Sequence, residues 1–294
     1  MERLLFGDNQ FFGINHMSED KARSQAMRFQ DLDAIMSVLE AAYDEGVRVF
    51  MCTTHDRVGD ICDRVRAEPA KWEGFKFYPC MPYAHKYANA ATEHGMMGAM
   101  MHFMPDDGLL KTALRGGTSL ARKDIEGIIK ILVDVEMKMF HGLDTPMIFL
   151  QNVITDLLLG MGMTSALKIF HDHVREKYKV EPGFITMNMP MLLDALESEG
   201  ITNPVICSNI NSIGFRTCGG LDLYKKTLEE RQVRAIAMSV FASGAISPAE
   251  AIKWTCELPN LEAIVFGASS RGNIRSTREL VDQHWGTSPG VAAQ

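Results

Sequence analysis

Short apolar runs alternate along this chain with longer stretches whose apolar residues recur every three or four positions, the pattern of strands alternating with amphipathic helices. Leu4-Leu5-Phe6-Gly7 reads as a first strand, closed by the polar turn Asp8-Asn9-Gln10. Leu32, Ile35, Met36, Leu39 and Tyr43 then mark a helix, with Gly46 placed to stop it. Val47–Cys52 is a second strand and Thr53-Thr54-His55-Asp56 its polar end. Phe75–Tyr83 and Pro146–Gln151 read as the third and fourth strands. Phe184–Met187, Pro204–Ser208, Ala235–Ser239 and Ala263–Phe266 complete the set, with helices between them. This alternation predicts an α/β protein whose parallel sheet closes into a (β/α)8 barrel, an open doubly wound sheet being the alternative.

The spacing is uneven once. Roughly sixty residues separate the third and fourth strands, where one helix and two loops need about half that. The surplus, 84–122, is expected to form an inserted helical or loop segment. It carries the methionine-rich stretch 96–104, suited to a lid over the mouth or to an ordinary helix on the barrel wall. Residues 108–119 read as a mobile loop and 286–294 as a flexible tail, so a single barrel domain is expected over 1–285.

Charge narrows the partners. Thirty basic against 37 acidic residues give a net −7, which disfavours a nucleic-acid surface, so an anion site must be local. No run approaches the ~18 apolar residues of a membrane span. The first residues enter a strand directly, and the six cysteines lack CxxC spacing. A cytoplasmic enzyme with reduced thiols, a small-molecule substrate, no nucleic-acid or membrane partner and a possible homo-oligomeric state is the expectation.

In a barrel of this kind the chemistry gathers at the C-terminal ends of the strands. That rule ranks Asp8, Asn9 and His16; Thr54, His55 and Asp56; Tyr83, His85 and Lys86; Gln151 and Asn152; Asn188; Ser208, Asn209 and Asn211; and Ser239 and Ser243. The sharpest local signal is Gly267-Ala268-Ser269-Ser270-Arg271, which follows a strand and opens a helix. Backbone N–H groups there, two hydroxyls and the Arg271 guanidinium suit a phosphate. The preceding loop, Ser239-Val240-Phe241-Ala242-Ser243-Gly244, adds a second glycine-containing turn.

These two loops carry a family resemblance. Ala237 to Ile246 resembles the aldo-keto reductase segment Y-S-P-L-G-x-G-x-L, which wraps the cofactor pyrophosphate, and Val265 to Thr277 is similar to the G-x-S-S-x-x-x-I-x-x-N segment, which holds the adenosine phosphate of NADP. Asn188, in Thr186-Met187-Asn188-Met189-Pro190, matches the Asn of G-x-S-N-F that contacts the nicotinamide amide. Pro204 to Arg216 is similar to P-x-x-x-Q-V-E-Y, with Ser208 in place of the Gln, and Gly7 to Gly13 resembles G-T-W-x-F-G with one residue inserted. The resemblance implies NADP bound through Asn188, Ser208, Ser239, Phe241, Ser243, Gly244, Gly267, Ser269, Ser270 and Arg271.

The catalytic tetrad of that family does not carry over. Met51 stands at its Asp position, Asp56 or His55 near its Tyr, Cys80 or Met81 near its Lys, and Gln151 or Asn152 at its His; Met238 replaces the Tyr that stacks on nicotinamide. Carbonyl reduction needs a proton donor, and His55 could serve, oriented by Asp56. Tyr83 with Lys86 forms an alternative acid pair in which the ammonium lowers the phenol pKa. The other reading of His55 is a strand-end hydrogen bonder. Alternatives to NADP-linked reduction are an isomerase or lyase working by acid/base chemistry on a phosphorylated substrate, and a non-catalytic ligand-binding barrel. No metal is expected: His171 and His173 fall on different helix faces, and His16, His55, His85 and Asp8 lack metal-site spacing.

Overall fold

The computed structural model describes residues 1–13, 19–83 and 122–285. The inserted segment expected over 84–122 (its last residue aside), the tail 286–294, and His16, His85 and Lys86 lie outside the described residues. Eight parallel strands close into a barrel in sequence order. They are β1 (Leu4–Gly7), β2 (Val49–Thr53), β3 (Lys76–Met81), β4 (Met147–Leu150), β5 (Glu181–Thr186), β6 (Val205–Asn209), β7 (Arg234–Met238) and β8 (Leu261–Phe266). The barrel seals where β1 pairs with β8, Leu4 opposite Ile264 and Phe6 opposite Phe266. The open-sheet alternative is thereby excluded.

Strand residues alternate between two cores, which is why each strand is apolar on both faces. Leu5, Met51, Tyr78, Cys80, Phe149, Ile185, Cys207 and Ile236 fill the barrel interior. Phe6, Phe50, Phe77, Leu150, Phe184 and Ile206 face the helix layer. Strand β5 starts three residues before the expected Phe184, because Glu181-Pro182-Gly183 carries no apolar signature. Gly183 is required there: a Cβ would lie 2.3 Å from the Phe149 ring.

The outer layer holds α1 (Glu19–Arg28), α2 (Leu32–Asp44), α3 (Asp56–Ala67), α4 (Arg122–Met137), α5 (Asn152–Gly160), α6 (Thr164–His173), α7 (Met189–Ser198), α8 (Leu221–Glu230), α9 (Pro248–Cys256) and α10 (Arg271–Trp285). Helix α2 is capped by Asp31, which accepts from Asp33 N at 3.1 Å, and ends before Gly46, whose φ of 88° is the left-handed turn glycine allows. Helix α1 was not expected, its sequence being too polar to show a periodic apolar face. None of the described helices is long and apolar enough to cross a membrane.

Candidate active site at the barrel mouth

The ends of β1, β2 and β3 converge on two buried carboxylates. Asp8 follows β1 and is 6% exposed. Its Oδ2 accepts from Thr53 N and Thr53 Oγ1, both at 2.7 Å, which ties β1 to β2. Burial pushes the Asp8 carboxyl above the usual carboxylate range, against the opposing pull of the Thr53 bonds. Glu136, near the end of α4, is also buried. It accepts from the Thr54 hydroxyl and from Tyr83 N, at 3.2 Å on the nearer oxygen, pinning the segments that follow β2 and β3.

His55 caps α3. Its Nδ1 accepts from Arg57 N at 3.1 Å, its ring stacks on Phe12 at 4.4 Å, and Tyr83 meets it edge-on at 5.4 Å. The Arg57 amide is thus one group that orients His55; Asp56, the partner expected from the sequence, is exposed in the first turn of α3. The Tyr83 phenol lies above its ordinary pKa range. Burial first, then the charges of Asp8 and Asp56, push it up, whereas pairing with Lys86 would lower it. Met51 and Cys80 sit in the barrel interior, and burial raises the Cys80 thiol well above its ordinary value.

The β5 and β6 ends form a closed polar network. Asp156 of α5 accepts from the Thr186 hydroxyl at 2.5 Å and from Met187 N at 3.1 Å. Tyr224 OH donates to Met187 O at 2.6 Å and accepts from Met189 N at 3.1 Å. Ser208 is consumed here: its Oγ donates to Thr186 O at 2.8 Å and meets Tyr224 OH at 3.1 Å, and the residue is fully buried. Ser208 lies on the strand face away from the interior set Val205 and Cys207, so the expectation that it contacts a cofactor is corrected by strand parity. Asn188 half-opens to the surface as the N-cap of α7, accepting from Met191 N at 3.3 Å.

After β7, Ser239, Ala242 and Ser243 take left-handed φ values of 56°, 44° and 57°, followed by Gly244 at 96°. Non-glycine residues held there cost on the order of 1–3 kcal/mol each, and such outliers cluster at ligand clamps. Phe241 of this loop packs partly buried against Ala242, Ile246 and Ala251. After β8, Gly267 is exposed, and a Cβ on it would fall 2.3 Å from Gln10 Oε1. Gln10 is 4% exposed; its Nε2 donates to Gly7 O at 2.7 Å, while its buried Oε1 has no hydrogen-bond partner. Ser270 Oγ accepts from Asn273 N at 3.4 Å at the start of α10, and Ser269 O accepts from Arg28 Nη2 at 2.6 Å.

Arg271 departs from expectation. Its guanidinium donates to Glu45 Oε1 at 2.7 Å and to Asp44 Oδ2 at 3.1 Å, and Arg275 also clasps Glu45. The two arginines hold the Glu45 carboxyl down at about 2. Arg271 therefore fastens α10 to the end of α2, and the cation beside the Ser269 carbonyl is Arg28, which sequence reasoning missed. Glu136, Gln10 and Asp156 were missed as well. Gln10 was legible only as part of a turn, and Glu136 only by its place among the apolar residues Val133, Met137 and Phe140.

His171 pairs with Asp172 and His173 with Asp134, away from one another, and no group of three or more metal-ligating side chains gathers among the described residues. No family model matches the sequence. No curated protein matches it. The fold is nevertheless shared with solved structures of aldo-keto reductases. A Pseudomonas aeruginosa protein assigned to that group aligns at 10% identity and a TM-score of 0.59, covering 96% of this chain and 90% of the other. An aldo/keto reductase from Brucella melitensis aligns at 12% identity and a TM-score of 0.52, covering 95% and 88%. A Bombyx mori aldo-keto reductase solved with NADP aligns at 10% identity and a TM-score of 0.54, covering 99% and 91%.

Proposed function

We propose that this aldo-keto-reductase-like barrel is an oxidoreductase that reduces the carbonyl group of a small molecule with NADPH. The observation that carries the reading is the setting of His55. With Nδ1 accepting from the Arg57 amide, a neutral ring would carry its proton on Nε2, the tautomer that can donate to a substrate oxygen. Phe12 and Tyr83 pack against the ring, and Tyr83 in turn feels the charge of the buried Asp8, an arrangement suited to gripping and polarising a carbonyl.

The residues present fit the cofactor at its phosphates. Ser269 and Ser270 at the N-terminus of α10, with Arg28 beside them, offer hydroxyl, amide and guanidinium donors. The unpartnered Gln10 Oε1 beside Gly267 offers an acceptor for a ligand N–H or O–H, and Asn188 and the Ser239–Gly244 loop complete the rim. When bound, NADPH supplies a hydride. The chain's own work is to hold the substrate oxygen against His55 and to exclude water.

The test is NADPH binding, followed by tryptophan fluorescence, together with carbonyl-dependent NADPH oxidation. His55→Gln is expected to lower kcat/KM by about 10²-fold or more while NADPH affinity is retained. Absence of NADPH binding at millimolar cofactor would remove the reading. A second reading, an isomerase or lyase working on a phosphorylated substrate, draws support from one observation. Arg271 and Arg275 are already neutralised by Glu45 and Asp44, leaving this loop poorer in cations than a 2′-phosphate site wants. Solvent-deuterium incorporation into a phosphorylated substrate without NADPH binding would decide for it.

A further inference from the structure

We propose that Glu45 is a specificity-determining residue that leaves this barrel without a preference for NADPH over NADH. It does so by holding Arg271 and Arg275 against the end of α2, away from the cofactor. The inference rests on the reductase reading and extends it to the choice of nucleotide.

The two cofactors differ in one group. NADPH carries a phosphate on its adenosine ribose where NADH has a hydroxyl, and a site that prefers the phosphate offers it a guanidinium. The start of α10, the segment expected to hold that phosphate, supplies Arg271 and, one turn on, Arg275. Both are committed elsewhere. Glu45 Oε1 accepts from Arg271 Nε at 2.7 Å and from Arg275 Nη2 at 2.9 Å, and Asp44 Oδ2 accepts from Arg271 Nη1 at 3.1 Å. Two guanidinium groups thus face two carboxylates, a cluster with no net charge for a phosphate dianion to meet. Arg278, nearly a further turn along, pairs with Asp282 at 2.7 Å. Arg28, which donates to the Ser269 carbonyl at 2.6 Å, brings a charge that can serve a phosphate both cofactors carry.

Recruiting the arginines to a ligand is costly. The Glu45 side chain is 8% exposed, while the guanidinium-bearing side chains over it are about half exposed. Drawing either arginine toward a phosphate leaves a covered carboxylate short of a partner. Asp44 is 54% exposed, so water replaces its arginine cheaply. Glu45 is therefore the residue that holds the pair. That a ligand belongs beside this loop has separate support in Gln10, a buried residue whose Oε1 lacks a partner next to Gly267. A ribose hydroxyl is a donor such an acceptor takes, and both cofactors bring ribose hydroxyls.

The experiment titrates the full chain with NADPH and with NADH, following tryptophan quenching and cofactor emission. The wild type is expected to bind the two within about tenfold of one another. Glu45→Gln keeps an acceptor oxygen but loses the charge, which releases a guanidinium. It is expected to tighten NADPH by about tenfold and leave NADH in place, whereas Asp44→Asn changes neither. The ratio separates specificity from a structural role, because loosening the junction of α2 and α10 would move both cofactors together. If Glu45→Gln does not fold, the wild type decides through adenosine 2′,5′-bisphosphate and AMP, which differ by the same phosphate and are expected within about tenfold. A wild type that binds the 2′-phosphorylated member of either pair far more than about tenfold tighter, or a Glu45→Gln variant with an unchanged ratio, overturns the role of Glu45 and leaves the reductase standing. A wild type that binds neither NADPH nor NADH at millimolar concentration overturns both.

Discussion

Gly183 and Phe149 form a lock inside the barrel. The ring occupies the space a side chain on β5 would need, at 2.3 Å from the ideal Cβ position. In a close-packed interior the ring has nowhere cheap to go. Gly183→Ala is expected to destabilise the protein by about 1–3 kcal/mol or more, read as a lower denaturation midpoint with an unchanged m-value. Asp8 predicts the opposite sign. Its folded-state pKa is raised from 3.8, so the native state binds more protons than the unfolded chain, and stability falls as pH rises above about 4. Asp8→Asn, which keeps an oxygen for Thr53, should therefore melt no lower than wild type at pH 8 (roughly four units above that ordinary value). A thermal melt at acid and alkaline pH checks it. Residues of this kind were half-legible. Asp8 and His55 stood out as polar strand ends, but the cap on His55 and the burial of Asp8 depend on Arg57 and Thr53, which no periodicity reveals. Glu136 was invisible because a carboxylate on an apolar helix face looks like solvent-facing punctuation until its partners Thr54 and Tyr83 arrive from elsewhere in the chain.

Among elements, the junction of α2 and α10 shows how a ligand signal and a structural one share an alphabet. Serines followed by arginines at a helix start suit a phosphate, yet Arg271 and Arg275 reach across to Glu45, the C-cap residue of α2. A negative charge at a helix C-terminus is unfavourable, and the two guanidinium groups offset it. Because the folded Glu45 pKa is lowered from 4.5 to about 2, this contribution is present above the unfolded value and is lost as pH falls through that window. Glu45→Gln should lower Tm at neutral pH, with the deficit shrinking toward pH 2, as measured by melts across that range. Strands were the most readable elements, since each buries two faces. Helix α1 and the separate α5 and α6 were less so, being either too polar or too close together to give distinct periods. Ser208 was misplaced by parity alone: a shift of one position along a strand exchanges barrel interior for helix layer.

At the scale of the molecule, eight evenly patterned strands made closure legible, because a parallel sheet of that size with helices outside has few other solutions. The assembly of the mouth was not legible, since it joins residues far apart in the chain: Asp8 to Thr53, Arg28 to Ser269, Thr54 to Glu136.

The seam between β1 and β8 has a consequence for how this barrel completes its fold. Gln10 arrives with the first strand and Gly267 with the last, and the two meet only when these strands dock. Contacts spanning so much of the chain form late, after most of the loop entropy has been lost. A barrel with β8 still loose would lack the approach of Gly267 to Gln10 beside the start of α10. If the proposed reductase reading holds, activity would then switch on with ring closure and report the final folding step.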